Sequence, residues 1–364
     1  METVTLALCG DVMLGRGVDQ ILPCPGDPEL WEPWVRDARD YVELAEAVNG
    51  PVPRPAGPAW PWGDALGFLA EAGVRVVNLE TSITRDGRPA PGKSVHYRMN
   101  PGNLPALTVA RPDVCALANN HVLDFGPDGL RDTLGALAGA GVRYAGAGRD
   151  AEEARRPAIV PAGDGTRVVV LSVGMSSSGI PPSWAAGPGR PGVGLVPEPS
   201  GAVAAEIIER VRRAVRPGDL VVVSIHWGSN WGYDVPPEWA GFARALIDGG
   251  VDIVHGHSSH HPRPIEIHRD RLILYGCGDL VNDYEGIGGH EEYRDDLRLL
   301  YLASIDRGSG ALAGLRLVPL RARRLRLELA SPGDAEWLRA LLGRICPGLR
   351  FRHAPDGTLA ASRA

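Results

Sequence analysis

Eight short runs rich in leucine and β-branched residues punctuate this chain, and the stretches between them have a different character. The runs are VTLALCG (4–10), VRVVNL (74–79), DVCALA (113–118), VRYAG (142–146), RVVVLSV (167–173), LVVVSI (220–225), VDIVHG (251–256) and RLILYG (271–276). Between them, WGDALGFLAEAG (62–73), GPDGLRDTLGALAGAG (126–141), PSGAVAAEIIERVRRAV (199–215) and PPEWAGFARALIDGG (236–250) have helical spacing and stop near Gly or Pro. Strands alternating with helices predict a layered α/β domain. Runs as continuous as LVVVSI predict strands covered on both faces. Further strands are expected in LRLLYLASI (297–305) and in the leucine- and arginine-rich stretch 310–330. We expect one domain over residues 1–330, with an inserted segment at about 22–62 and a C-terminal extension at 331–364.

The polar residues fall at the ends of these runs. Asp11 follows the first; Asn78 and Glu80 close the second; Asn120 and His121 follow the third. His226 ends LVVVSI, His255, His257 and His260 follow VDIV, and Asp279 and Asn282 follow LILYGCG. The carboxyl edge of an α/β sheet is where ligands bind. Carboxylate, amide oxygen and imidazole together make the mixed ligand set of divalent transition metals. One such residue is ordinary turn chemistry, whereas agreement across six strands predicts a metal site. His268, His290 and His353 lie outside the pattern and read as surface or core histidines.

Composition narrows the function classes. The balance of 38 Lys+Arg against 44 Asp+Glu, net −6, offers no global attraction to nucleic acid or to an anionic membrane. The five cysteines form no CxxC pair, which suits a reducing compartment. The opening METVTLALCGDVMLG has no basic leader, and Asp11 interrupts its apolar run. A cytoplasmic protein without a membrane span is therefore expected. A homo-oligomer is left open.

The motifs GDVMLGR, NLET, ALANNHVLDFG, HWG and GHSSHH, in that order across about residues 3–305, resemble the CapA-like branch of the calcineurin-like metallophosphatase superfamily, named for poly-γ-glutamate capsule synthesis proteins. The resemblance implies a metallophosphatase-like two-sheet sandwich flanked by helices, in α-β-β-α layers. It also implies a dinuclear centre holding one or two divalent ions (Mn, Fe, Zn or Co). Asp11 becomes the opening ligand and Glu80 the occupant of the bridging-carboxylate position. Asn120, His226 and His257 become ligands, and His260 matches the last histidine of the Gly-His motif. His255, before Gly256, is a weaker candidate. His121 matches the histidine beside the metals, placed to protonate a leaving group with Asp124 orienting it. Two departures stand out: Met13 occupies a position where phosphatases usually carry histidine, and Glu80 one where they usually carry aspartate.

The expected function is a CapA-like metal-dependent hydrolase acting through a metal-bound hydroxide. Its substrate would be a small or oligomeric anion, either a phosphoester or a glutamyl-type amide. The alternatives are a component of poly-γ-glutamate or glutamyl-conjugate biosynthesis, and a non-catalytic anion-binding module. Arg16, Lys93 and Arg98 are the candidate substrate-binding cations, and Trp227 and Trp231 are candidate pocket walls. Capsule proteins of this type are generally membrane-anchored, an arrangement not expected here.

Overall fold

Two sheets lie face to face in the computed structural model, which describes residues 2–364. The first sheet runs Leu349–His353, Leu359–Arg363, Leu312–Ala322, Leu297–Asp306, Thr3–Val12, Val74–Leu79, Val114–Ala116, Arg143–Ala145, with Asp279–Val281 also paired to Thr3–Val12. The second runs Leu195–Val196, Arg167–Met175, Leu220–His226, Ile253–His257, Arg271–Leu274, Ile265–His268. In each sheet the strands carrying the polar ends are parallel: Thr3–Val12 to Val74–Leu79 and on to Val114–Ala116, and Arg167–Met175 to Leu220–His226 and on to Ile253–His257. Their carboxyl ends therefore collect on one edge.

Side-chain alternation along the strands builds the layers. Leu6, Leu8 and Val76 from the first sheet share one core with Val170, Val222 and Ile253 from the second. Successive residues point to opposite faces. Ala7, Cys9 and Val77 thus pack outward beneath helices Ala65–Glu71 and Gly126–Gly139, through Leu69, Leu130 and Leu134. Likewise Val169, Val223 and Val254 pack beneath helices Gly201–Ala214 and Pro237–Asp248, through Ile207, Phe242 and Leu246. The order is α-β-β-α, the metallophosphatase-like sandwich expected from the motifs. No helix among the described residues is long and apolar enough to cross a membrane.

Two segments show how the periphery joins this core. In the stretch 22–62, helix Arg39–Asn49 turns Val42 and Ala45 onto Ile21, Leu22 and Leu325. In the stretch 331–364, Ser331 caps helix Pro332–Ile345 by accepting the Asp334 N–H. Leu359–Arg363 then pairs antiparallel with Leu312–Ala322. Leu338, Leu342, Phe351 and Leu359 enter the core between the sheets.

Deleting residues 331–364 should therefore expose inter-sheet leucines rather than release an independent tail. Buried Leu→Ala truncations each cost about 2–5 kcal/mol, so the shortened chain is expected to aggregate or to melt far below the full chain in a thermal scan. A truncated chain melting like the full one would refute this.

Candidate metal centre

Register brings the polar strand ends together. Asp11 sits opposite Asp279 on neighbouring parallel strands, and His226 sits opposite His257 on another such pair. Gly10 makes the first approach possible, because a Cβ there would fall 1.7 Å from the Gly278 carbonyl oxygen.

Two groups of donors result. Asp11, His226 and His257 form one; Asp11, His260 and Asp279 form the other. Within each group the donor atoms lie within 4.8 Å of one another, every member is buried, and Asp11 belongs to both. Glu80 Oε1 lies 3.7 Å from His226 Nε2, and Asn120 Oδ1 lies 3.0 Å from the same nitrogen. The structure thus brings together Asp11, Glu80, Asn120, His226, His257 and His260. It adds Asp279, which the sequence placed at a strand end but not among the ligands. The signal that could have found it is its place, like that of Asp11, at a strand's polar end.

A layer of amides and hydroxyls orients these donors. The Asn78 amide donates to Asp11 Oδ1 at 2.7 Å and to Glu80 Oε2 at 3.0 Å. The Asn119 amide donates to Asn78 Oδ1 at 3.1 Å, while Asn119 Oδ1 accepts the N–H groups of His121 and Val122. The Ser258 N–H donates to Asp11 Oδ2 at 3.3 Å from a backbone at φ 104°, a left-handed conformation that costs a non-glycine residue about 1–3 kcal/mol. His255 is tied at both nitrogens, to the Cys9 carbonyl at 2.9 Å and to Ser224 Oγ at 3.1 Å. Ser224 Oγ also meets His257 Nε2 at 2.8 Å, which leaves His257 Nδ1 facing His226 Nδ1 at 2.7 Å. His260 Nδ1 lies 2.9 Å from Asp279 Oδ1, and the Asn282 amide donates to Asp279 Oδ2 at 2.6 Å.

The electrostatics follow from burying these groups together. Burial, and then the charge of Asp279, pushes Asp11 up to about 7. Burial and the neighbouring Asp11 and Asp279 push Glu80 up as well. Burial would also raise Asp279, but His260 holds it below the usual carboxylate range. Burial keeps His226 and His257 neutral. Neutral imidazoles beside crowded carboxyl groups, with His257 held from outside by Ser224 and Glu80 by Asn78, are donors of the kind a divalent cation takes.

Beside the donors lies a cavity of about 220 Å³ whose walls include Glu80, Lys93, Asn120, His121, Ser258 and His260. His121 Nδ1 lies 2.6 Å from Asp124 Oδ2, which also accepts the Tyr97 N–H at 2.7 Å. Lys93 Nζ reaches Asp124 Oδ1 at 2.5 Å and donates to the Asn120 carbonyl. Burial lowers His121 to about 4 against the opposing pull of Asp124, and its Nε2 stands 3.9 Å from Glu80 Oε1. Trp227 is a core residue, stacked on Trp239 and Tyr275. Trp231 stacks on His290 and lies 5.3 Å from the His260 ring.

The three candidate substrate cations are placed differently from one another. Arg16 is buried and grips Asp283 with Nε at 2.8 Å and a terminal nitrogen at 2.5 Å, while its other terminal nitrogen meets Glu32 at 2.8 Å. Its fork is filled by the protein's own carboxylates, so it presents no anion site. Arg98 donates to the Asp27 carbonyl at 3.1 Å and lies over the Phe125 ring. Lys93 alone of the three lines the cavity, with its charge already set against Asp124. Replacing Arg16 by Ala would strand Asp283 and Glu32, both almost inaccessible. A loss of about 3–5 kcal/mol in chemical denaturation is expected, and unchanged stability would return Arg16 to an exposed role.

Sequence comparison places the chain among known proteins. Residues 5–284 match the bacterial capsule synthesis protein family PGA_cap. A probable polyglutamine synthesis accessory protein of Mycobacterium tuberculosis is 56% identical over 363 residues, covering 98% of this chain and 96% of that one. The PGA biosynthesis protein CapA of Bacillus subtilis is 28% identical, over 78% of this chain and 64% of its own length. The capsule biosynthesis protein CapA of Bacillus anthracis is 25% identical, over 78% and 60%. The chain belongs to the PGA_cap family of bacterial capsule synthesis proteins.

Proposed function

We propose that this protein is a metal-dependent hydrolase of an anionic, glutamyl-type amide, acting in support of polyglutamate synthesis. The observation that carries the reading is the pair of buried donor groups sharing Asp11, set beside a cavity walled by His121. A glutamyl amide is favoured over a phosphoester because relatives are named for polyglutamine and PGA synthesis. Divalent ions held by these groups, with Glu80 and Asn120 alongside, would supply Lewis acidity toward a substrate oxygen.

His121 has a definite proton task in this scheme. Asp124 is an acceptor, so His121 carries its proton on Nδ1 and keeps a lone pair on Nε2. A neutral imidazole takes a proton before it gives one. Nε2 accepts it from the attacking water and returns it to the leaving amide nitrogen, with Asp124 stabilising the cation in between. Lys93 helps hold Asp124 ionised for that role. The paired His121 and Asp124 favour catalysis over simple anion binding.

Metal binding should be linked to protons. Asp11, raised to about 7, is protonated below that pH and must release its proton to a metal. Affinity for Mn²⁺ or Zn²⁺ in calorimetry should therefore climb with pH through about 7, with proton release visible as a dependence on buffer ionisation enthalpy. His226→Ala and His257→Ala should lower bound metal in elemental analysis. Affinity independent of pH, together with intact metal content in both variants, would remove the assignment.

Catalysis is tested separately. His121→Ala should retain metal yet lose about 10²- to 10⁴-fold in kcat on a γ-glutamyl oligomer. An unchanged kcat would reject the proton role, and turnover of aryl phosphates alone would reassign the substrate to phosphoesters.

A further inference from the structure

Tyr284 is common to the walls of two cavities, the one beside the metal donors and a second of about 250 Å³. The second is lined by Arg294, Arg298 and Arg321, by Asp295 and Asp296, and by the apolar Val48 and Ile287. Most of its charges are already matched. Arg294 pairs with Asp296 at 2.8 Å and with Asp334 at 2.7 Å, and Arg321 pairs with the same two acids at 3.0 and 3.5 Å. Glu285 accepts the backbone N–H groups of Arg324 and Leu325, and Glu291 that of Gly289.

Two charges remain. Arg298 is 1% exposed, yet among the described residues it takes part in no ion pair. Its guanidinium donates only to neutral oxygens, the Leu297 carbonyl at 3.2 Å and Asn282 Oδ1 at 3.0 Å, and its buried Nε has no partner. Asp295, on the same wall, is likewise in no ion pair among the described residues. A buried guanidinium without an anion is costly, and its planar fork suits a carboxylate. Arg298 and Asp295 line one cavity without forming an ion pair with each other, and a cation and an acid side by side match a zwitterion better than a dianion or a phosphate.

We propose that this second cavity binds an α-amino acid head group, with its carboxylate on Arg298, its ammonium on Asp295 and its side-chain methylenes against Val48 and Ile287. The space suits one amino-acid unit rather than a length of polymer. A free amino acid and the amino-terminal unit of a γ-glutamyl chain both present this head group. Asn282 connects the cavity to the metal donors, accepting from Arg298 and donating to Asp279 at 2.6 Å. Binding here does not require the hydrolase reading to hold.

Calorimetry on the full chain, metal-free in the presence of chelator, tests the site with L-glutamate, γ-L-glutamyl-L-glutamate and glutarate. No turnover is measured, so failure of the hydrolase reading leaves the result intact. Glutamate and the dipeptide should bind, and glutarate, lacking the ammonium, should bind on the order of tenfold more weakly. Asp295→Asn should weaken glutamate by a similar factor. Ala322→Met, which narrows the cavity from its strand wall, should abolish binding while separately measured Mn²⁺ uptake holds. Binding of the dipeptide alone would identify the chain terminus as the occupant, and binding of both would identify the head group itself. Equal affinity for glutarate, binding that survives Ala322→Met, or no binding by any probe would overturn the proposal.

Discussion

Asp11, Glu80 and Asp279 gather three carboxyl groups in a buried cluster where His260 is the one histidine donor held in favour of its charged form. Charges removed from water need partners, and the desolvation cost per ion is several kcal/mol even after relaxation. In the protein alone the cluster answers by holding Asp11 and Glu80 toward their protonated forms. The surrounding architecture keeps the carboxyl groups together despite this cost. Parallel pairing sets Asp11 against Asp279, the absence of a side chain at Gly10 lets the Gly278 carbonyl approach, and the Asn78 amide bridges Asp11 and Glu80. Such an arrangement is stable only if a cation completes it or protons do, and the two compete for the same oxygens.

The histidines divide by what holds their second nitrogen. His255 is consumed at both, by Cys9 in one sheet and Ser224 in the other, and so acts as a tie across the sandwich. His257 lies one strand position pair further on the same face and gives only Nε2 to Ser224, which frees Nδ1 as a donor. His121 gives Nδ1 to Asp124 and turns Nε2 toward the cavity. Ligand, structural tie and proton carrier are the same side chain under different partners.

That division explains how far the sequence could be read. The run LVVVSI (220–225) becomes strand Leu220–His226 because a continuous apolar run ending in a polar residue needs no distant information to be recognised. The third run is shorter than expected, Val114–Ala116, because the Asn119 N–H turns back to the Leu117 carbonyl and breaks the ladder before the polar residues. Asp279 escaped the ligand set because its strand is three residues long and exists through pairing with Thr3–Val12, far away in the chain. Nothing local to Arg16 reports its main partner, Asp283, which lies 267 positions away. Local pattern reports strand ends; it does not report which distant acid will occupy a guanidinium.

The cations near the centre carry one more consequence. Arg16 is neutralised by Asp283 and Glu32, Lys93 by Asp124, and Arg98 is turned to the Asp27 carbonyl and the Phe125 ring. None of the three is left free to draw an anion into the cavity, where Glu80 is the one carboxyl group among the lining residues. The protein's own paired cations therefore add little pull on an anionic substrate. Divalent ions at the donor groups would supply that positive charge at the place where the substrate must sit. Anion recognition and metal occupancy are then one property, which makes His121, held outside the donor groups by Asp124, the side chain through which catalysis and binding can be told apart.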